Sequence, residues 1–385
     1  MMQIDYKKIF QSSTHYFQTH HMLFLSLNFF GLTIVSGGIE FAAFGDWGHK
    51  SPQLALTANA IDKTCPDRDF SILLGDNFYP NGVKSVKDPK FKLFTDVVLG
   101  KTGKNKRHYV IMGNHDWYGN AQAQIDYTRN SNEWYMPSFY YSEIIKKNGI
   151  VLCMIFIDST YETTPKRMDS VQLQWIDAEL SKPECANPNS WRIVSGHHPI
   201  YKGRASGGNS ASDGKLLALL HKHKVHLHMA GHVHLQSVFR DEDNLTTLVS
   251  GATGLHLPAD IWRNHDYFQW GSNGKTSAGF MHFLVDNDKI NINFVSSLSG
   301  ESMAEFEVSK SRDFKQIPAS PQGNGDNNLP IPGNGDNFVP GPVGPRRSRR
   351  KPATGTAAQP SYSDSIRSSV SISLIICSLL PILGY

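Results

Sequence analysis

Five short clusters in the chain carry side chains suited to binding metal: Gly45-Asp46-Trp47-Gly48, Gly75-Asp76-Asn77-Phe78-Tyr79, Gly113-Asn114-His115-Asp116, Gly196-His197-His198-Pro199 and Gly231-His232-Val233-His234. Each opens on a glycine, which lets the backbone turn sharply and come close to whatever the cluster holds. Asp46, Asp76, Tyr79, Asn114, His197, His232 and His234 together offer seven oxygen and nitrogen donors. One ion cannot use so many mixed ligands, whereas two ions sharing a carboxylate can. Hard oxygens combined with imidazoles suit iron, manganese or zinc. Two such ions ~3.5–4 Å apart form a clamp for a phosphoryl group.

The clusters need strands to position them, and each follows an apolar β-like run: IEFAAFGD, DFSILLGD, RHYVIMGN, WRIVSGH and VHLHMAGH. A further run, IVLCMIFID, lies between them, and TTLVSG, GFMHFLVD and KININFV come later. Helical patterns separate the early runs: SPQLALTANAID, with Ser51 as cap and Pro52 in the first turn, then KDPKFKLFTDVVL, MDSVQLQWIDAEL and SDGKLLALLHKH. Early alternation followed by consecutive strands predicts an α/β sandwich with mixed sheets. In such sheets ligands bind outside the carboxyl ends of strands, where all five clusters fall.

Composition bounds the rest. Of 385 residues, 39% are hydrophobic and 19% charged, enough for a large packed core. The formal charge of +4 sits at the ends: residues 341–385 carry +5 and residues 1–36 carry +1, which leaves −2 on residues 37–340. That balance argues against a nucleic-acid partner. Met22 to Val35 is an apolar run followed by Ser36-Gly37-Gly38, so residues 1–36 read as a secretory signal peptide, with a start at Met22 or an uncleaved anchor as alternatives. Residues 313–360 read as a Pro/Gly/Asn-rich linker that repeats GNGDNNLPIP as GNGDNFVPGP and ends near the basic run Arg346 to Lys351. Residues 361–385 end in the apolar tail VSISLIICSLLPILGY, read as a GPI-attachment signal or a hydrophobic anchor. The expected location is the secretory pathway: the cell surface, held to the membrane by that lipid anchor or tail, or a secreted or lysosome-like compartment. Asn244-Leu245-Thr246 is the glycosylation sequon of the folded region. Of the four cysteines, Cys377 would leave with the tail, Cys153 reads as a buried thiol, and Cys65 and Cys185 are the candidate disulfide.

The five blocks, in this order and spacing, resemble the metallophosphoesterase superfamily. Within it they are most similar to the purple acid phosphatases of the mammalian-type, tartrate-resistant branch. The resemblance spans roughly Ile39 to Glu307 and includes GDNFYPNGV, YVIMGNHDWYGNAQAQIDY and QLQWIDAEL. Many metallophosphoesterases place a histidine two residues after the first aspartate. Here that position is Gly48, and Tyr79 follows the second aspartate by three, as in purple acid phosphatases. The resemblance implies a calcineurin-like β-sandwich of two mixed sheets flanked by helices, spanning residues 37–312. It also implies a binuclear centre of Fe(III) with a divalent iron, zinc or manganese ion, and an acid phosphatase that hydrolyses phosphomonoesters by attack of metal-activated hydroxide. Carried over by position, Asp46, Tyr79 and His234 would hold the ferric ion, and Asn114, His197 and His232 the divalent one, with Asp76 shared. His115 would contact phosphate and protonate the leaving group in mildly acidic conditions.

One departure bears on substrate range. The second active-site histidine of the branch, nine residues after His197, is Ser206 here, and Arg204 is the nearby candidate to hold phosphate through paired N–H donors. Some relatives of the family serve as membrane scaffolds, so a catalytically weak anchored scaffold is one alternative and a phosphodiesterase on the same site is another. Four more histidines precede the last cluster. Alternation places His226 and His228 on one strand face, within sheet packing. His221 and His223 fall at a basic helix end.

Overall fold

The computed structural model describes residues 37–160, 168–201, 211–254, 265–272 and 278–318, and structural statements below concern these. The segments read as signal, linker and anchor, apart from residues 313–318, lie outside them, as do Cys377, Arg204 and Ser206.

Fifteen strands form two sheets among the described residues. Those of the first sheet are β1 (Ile39–Phe44), β2 (Phe70–Leu73), β3 (Arg107–Val110), β4 (Trp134–Tyr135), β12 (Gly279–Val285), β13 (Lys289–Ser296), β14 (Ser302–Ser309) and β15 (Phe314–Ile317). They run in the order β15-β14-β13-β12-β1-β2-β3-β4. The second sheet holds β5 (Tyr141–Lys147), β6 (Ile150–Phe156), β7 (Ser190–Ser195), β8 (Leu227–Ala230), β9 (Gln236–Arg240), β10 (Thr246–Ser250) and β11 (Phe268–Gly271), in the order β11-β9-β10-β8-β7-β6-β5. Both sheets are mixed: β1, β2 and β3 are parallel neighbours in one, β6, β7 and β8 in the other, and antiparallel strands complete each. The expected two-sheet sandwich is the observed fold.

The apolar run IVLCMIF needs cover on both faces, and it has it. Leu152, Met154 and Phe156 of β6 join the core between the sheets. Cys153, Ile155 and the following Ile157 join a second core, where Ile176 and Leu180 of the helix Ser170–Leu180 and Leu216 and Leu220 of the helix Ala211–Lys222 cover the sheet. The helix Pro52–Thr64 starts as its sequence dictates, with Ser51 Oγ accepting from Leu54 N–H at 3.2 Å. The segment KDPKFKLFTDVVL is a short helix, Phe91–Leu93, that widens into a π-turn, Phe94–Val98, burying Phe91, Phe94 and Val98.

Two expectations need correction. The disulfide joins Cys153 to Cys185, with Cα atoms 5.4 Å apart, and Cys65 is a buried free thiol. Alternation along β6 turns Cys153 outward to the second core, where the short helix Pro183–Ala186 places Cys185. Cys65 caps the helix Pro52–Thr64 within the first core, and burial pushes its thiol up to about 12. The folded body also runs past the boundary read at 312. β15 pairs with β14, and Phe314 stacks on Phe306 with ring centroids 5.3 Å apart. This last described strand stands directly before the Pro/Gly/Asn-rich composition.

His226 and His228 are fully buried, as alternation predicted. Burial holds each imidazole down at about 3. Neither ring nitrogen of His228 has a hydrogen-bond partner. His221 pairs with Asp241 and Asp243 at 2.8 and 3.0 Å, and His223 with Asp177 at 2.6 Å, so these two tie the helix end to neighbouring segments. Asn244 is exposed on the β9–β10 turn and accepts from the Arg240 guanidinium at 2.8 Å, while Thr246 of its sequon is buried in β10.

Two outcomes follow. The bridge closes a loop with a sequence separation of 32, so Cys185→Ala should lower unfolding free energy by roughly 3 kcal/mol. An unchanged denaturation midpoint would contradict a formed bridge. His228 is neutral in the fold but titrates near 6.5 when unfolded, so the unfolded state gains its proton first and stability falls as pH drops from 6.5 toward 3. His228→Leu should be at least as stable as the parent at pH 7.5. Its advantage should widen below pH 6.5 by up to about 1.4 kcal/mol per pH unit in urea titrations; a constant gap would count against a neutral His228.

Candidate metal centre

The carboxyl ends of β1, β2 and β3 in one sheet and of β7 and β8 in the other deliver the five clusters to one place. Backbone hydrogen bonds fasten these ends together. Gly45 N–H donates to Ser250 O at 2.8 Å, Asp46 N–H to Gly75 O at 2.9 Å and Gly231 N–H to His197 O at 3.0 Å. Asp46, Asp76 and His232 have left-handed φ values of 58°, 52° and 66°. Such a backbone is unfavourable for residues other than glycine and persists only where its surroundings hold it.

Asp46 is fully buried and Asp76 nearly so. The Tyr79 hydroxyl lies 2.9 Å from Asp46 Oδ1 and 2.7 Å from Asp76 Oδ2. His234 Nε2 is 3.1 Å from Asp46 Oδ1 and 3.2 Å from the same hydroxyl. On the other side of Asp76, His197 Nε2 is 3.4 Å from Asp76 Oδ1. His232 Nδ1 is 3.2 Å from Asn114 Oδ1, and the rings of His197 and His232 are 5.2 Å apart. All seven donors expected from the sequence therefore converge, as two trios on either side of Asp76.

The donor set fits metal on its own geometry. His197 is fully buried, and its Nδ1–H donates to Leu74 O at 2.8 Å, so Nε2 faces the carboxylates with no hydrogen-bond partner. A backbone carbonyl that fixes one ring nitrogen and aims the other is the usual support of a ligating histidine. The electrostatics agree. Burial opposes the charge on Asp76, yet His197 beside it holds the carboxyl well below the ordinary range. Burial likewise opposes a charge on His197, and Asp76 still draws it up to about 10. Burial and the two carboxylates push the Tyr79 phenol well above 10. Paired buried carboxylates of this kind attract a cation.

Close packing enforces the arrangement. A Cβ on Gly113 would lie 2.2 Å from Asp76 Oδ1. A Cβ on Gly48 would lie 2.4 Å from the backbone of Asn77 and Phe78, so this backbone has no room for the histidine that many metallophosphoesterases carry at that position.

Three residues given no role from the sequence have one here. Asp116 is fully buried and clamps two loops: it accepts from Gly113 N–H at 2.8 Å, Asn77 N–H at 3.1 Å, Phe78 N–H at 3.2 Å and Gln124 Nε2 at 3.0 Å. Burial and the neighbouring Asp76 raise its carboxyl to about 6 against those donors. Ser159 Oγ accepts from His198 N–H at 2.8 Å. His198 itself places a ring nitrogen within 4.8 Å of those of His197 and His232. Asp116 was legible as the fourth letter of Gly-Asn-His-Asp, but only the fold shows which amides it reaches. His115 is half-buried: its backbone N–H donates to Asp76 Oδ1 at 2.9 Å, Nδ1 donates to Pro80 O at 2.6 Å, and its ring leans on Tyr79 at 4.4 Å.

Asp116→Ala would strip three backbone amides of their acceptor. The expected loss is roughly 3 kcal/mol or more, with bound metal falling in parallel by elemental analysis. A variant with unchanged melting temperature and metal content would remove the clamp role.

The comparisons with known proteins agree with this geometry. The calcineurin-like phosphoesterase family profile matches residues 39–236. Purple acid phosphatase 4 of Arabidopsis thaliana is 29% identical over 298 residues, 72% of this chain and 85% of that protein. Tartrate-resistant acid phosphatase type 5 of Sus scrofa is 29% identical over 301 residues, 70% of this chain and 86% of that protein. Among solved structures, GAP50, the anchor in the inner membrane complex of Plasmodium, aligns with a TM-score of 0.62 and 25% identity over 71% of this chain and 89% of that one. A purple acid phosphatase from yellow lupin (Lupinus luteus) seeds shares the fold, with a TM-score of 0.53 and 18% identity over 71% of this chain and 54% of that one. With more than half of its length matched by the profile and its donors grouped at the strand ends, the chain belongs to the calcineurin-like phosphoesterase family.

Proposed function

We propose that this protein hydrolyses phosphate monoesters at a two-metal centre, as an acid phosphatase. The observation that carries the reading is the convergence of Asp46, Asp76, Tyr79, Asn114, His197, His232 and His234 from five separate loops. Asp46, Tyr79 and His234 would hold a ferric ion, and Asn114, His197 and His232 a divalent iron, zinc or manganese ion, with Asp76 between them. When bound, such ions supply positive charge for the equatorial oxygens of the phosphoryl group and acidify water at neutral pH and below.

The chain's own groups supply the rest. Pro80 O fixes Nδ1–H of His115, which leaves Nε2 to carry a proton to the departing oxygen. Tyr79 and the Asp76 carboxylate hold that imidazole from its ring face and its backbone. Leu74 O fixes His197 in the tautomer that leaves Nε2 for metal.

A non-catalytic scaffold is the second reading, favoured by the likeness to the GAP50 anchor. No described helix is long and apolar enough to cross a membrane, so attachment in either reading rests on the proposed lipid anchor or tail outside the described residues.

Elemental analysis and turnover of 4-nitrophenyl phosphate against its bis-ester separate the readings. The phosphatase reading expects about two ions per chain, faster turnover of the monoester and a visible charge-transfer band lost in Tyr79→Phe. His115→Ala should lower kcat about 100-fold or more with metal content kept. Fewer than one ion per chain and no turnover would leave the scaffold standing. Faster turnover of the bis-ester would make the protein a phosphodiesterase.

A further inference from the structure

The ring of Tyr79 has two neighbourhoods. Its hydroxyl meets Asp46 and Asp76, and its other side lines an open cleft of about 490 Å³. That volume is within the range of small-molecule sites. Pro89, Leu93 and Val97, from the segment that becomes the short helix and π-turn, form an apolar wall. His49 and Lys50, directly after Gly48 in the first cluster, and Lys92 also line the cleft. Lys50 and Lys92 are exposed.

The charges in the cleft do not cancel. Lys90 directs its ammonium to Gly82 O at 2.6 Å, and Asp96 is the only carboxylate among the described residues lining the cleft. Lys50 and Lys92 have no ion-pair partner among the described residues. Unneutralised ammonium groups beside an apolar wall concentrate field in the cleft and draw anions into it. The placement matters because the cleft and the candidate centre meet at Tyr79, against whose ring His115 also packs, so the leaving group of an ester held at the centre has this cleft as a neighbouring space. The cleft would then receive a body that is apolar near the reacting oxygen and negatively charged at its far end.

We propose that this cleft is a leaving-group subsite selecting phosphate monoesters with an apolar body and a second anionic group, with Lys50 and Lys92 reading that second charge. The proposal rests on the phosphatase reading above. It deepens that reading from an ester class to a substrate chemistry that the metal ligands do not specify.

The test compares 4-carboxyphenyl phosphate with 4-carbamoylphenyl phosphate, a neutral partner of nearly equal size. The purified metal-loaded protein is used, and the ratio of the two kcat/KM values is read in parent and variants. In Lys50→Gln/Lys92→Gln the ratio should fall about threefold or more, as the loss of two partly solvated charge pairs implies. KM for the carboxylate should carry the change, with kcat/KM for the amide within about twofold of parent. Lys63→Gln/Lys315→Gln removes the same net charge at exposed positions outside the cleft and should leave the ratio as it is. An equal fall in that control would assign the preference to the overall field and overturn the subsite, as would an unchanged ratio in the cleft variant. If neither ester is turned over by the metal-loaded parent, the phosphatase reading fails first and the subsite fails with it. Turnover of both esters without discrimination refutes the subsite alone.

Discussion

Two buried carboxylates set the terms for the rest of this molecule. Asp46 and Asp76 share the Tyr79 hydroxyl within 3 Å and have almost no contact with solvent. Like charges so placed repel strongly unless a proton or a cation lies among them. The surroundings supply several local donors: Tyr79 to both, His232 N–H to Asp46 at 2.7 Å and His115 N–H to Asp76 at 2.9 Å. Those donors reduce the repulsion but leave His197 and His234 aimed inward, each in a position where an unprotonated nitrogen serves a metal better than a hydrogen bond.

Such a centre needs a frame stiffer than its loops. The frame comes from parallel strands that end together in two sheets, and from side chains behind the loops. Trp47 is buried and donates to Asn77 Oδ1 at 3.1 Å, and Asn77 in turn donates to Ile111 O at 2.8 Å. Trp47 packs against Phe78, Phe94 and Trp134. The first three clusters thus share one polar network, Trp47 to Asn77 to Asp116, backed by an aromatic core. Left-handed backbone at Asp46, Asp76 and His232 is the conformational cost of aiming ligands inward from strand ends; this network braces the first two, and His232 N–H is held by Asp46 Oδ2.

Much of this was legible in the residues. The seven donors could be picked out because each follows a strand-like run and a glycine, a local pattern that needs no knowledge of the distant partner. The helix Pro52–Thr64 was legible from Ser51 and Pro52 for the same reason. Pairings that depend on which face meets which element were not. Cys153 looked like one more apolar letter in IVLCMIF, and only the second core, built from helices far along the chain, turns it toward Cys185. β15 was hidden because FKQI is short and stands at the edge of a polar stretch, where its pairing with β14 and the stacking of Phe314 decide the matter. Asp116 could be noticed as a motif letter, yet its work is to bind amides from two loops, which no spacing rule describes. The lysine-rimmed cleft is of the same kind: His49, Lys50 and Lys92 are ordinary surface letters until the fold sets two segments on either side of Tyr79.

The choice between enzyme and anchor can be argued from stability. A chain whose only task is to hold a surface in place gains nothing from two buried carboxylates, three left-handed non-glycine residues among the candidate ligands and a fully buried histidine 3.4 Å from one of those carboxylates. Apolar replacements for buried charges are often neutral or stabilising, and most positions drift unless something holds them. Here the unfavourable features coincide at one place, and a cation bound among them would account for each. The likeness to an anchor protein is a likeness of fold, whereas the donors grouped at the strand ends have the chemistry that suits a cation. A scaffold built on this fold has no need of the inward-facing nitrogens or of left-handed backbone at Asp46, Asp76 and His232, and this chain carries all of them.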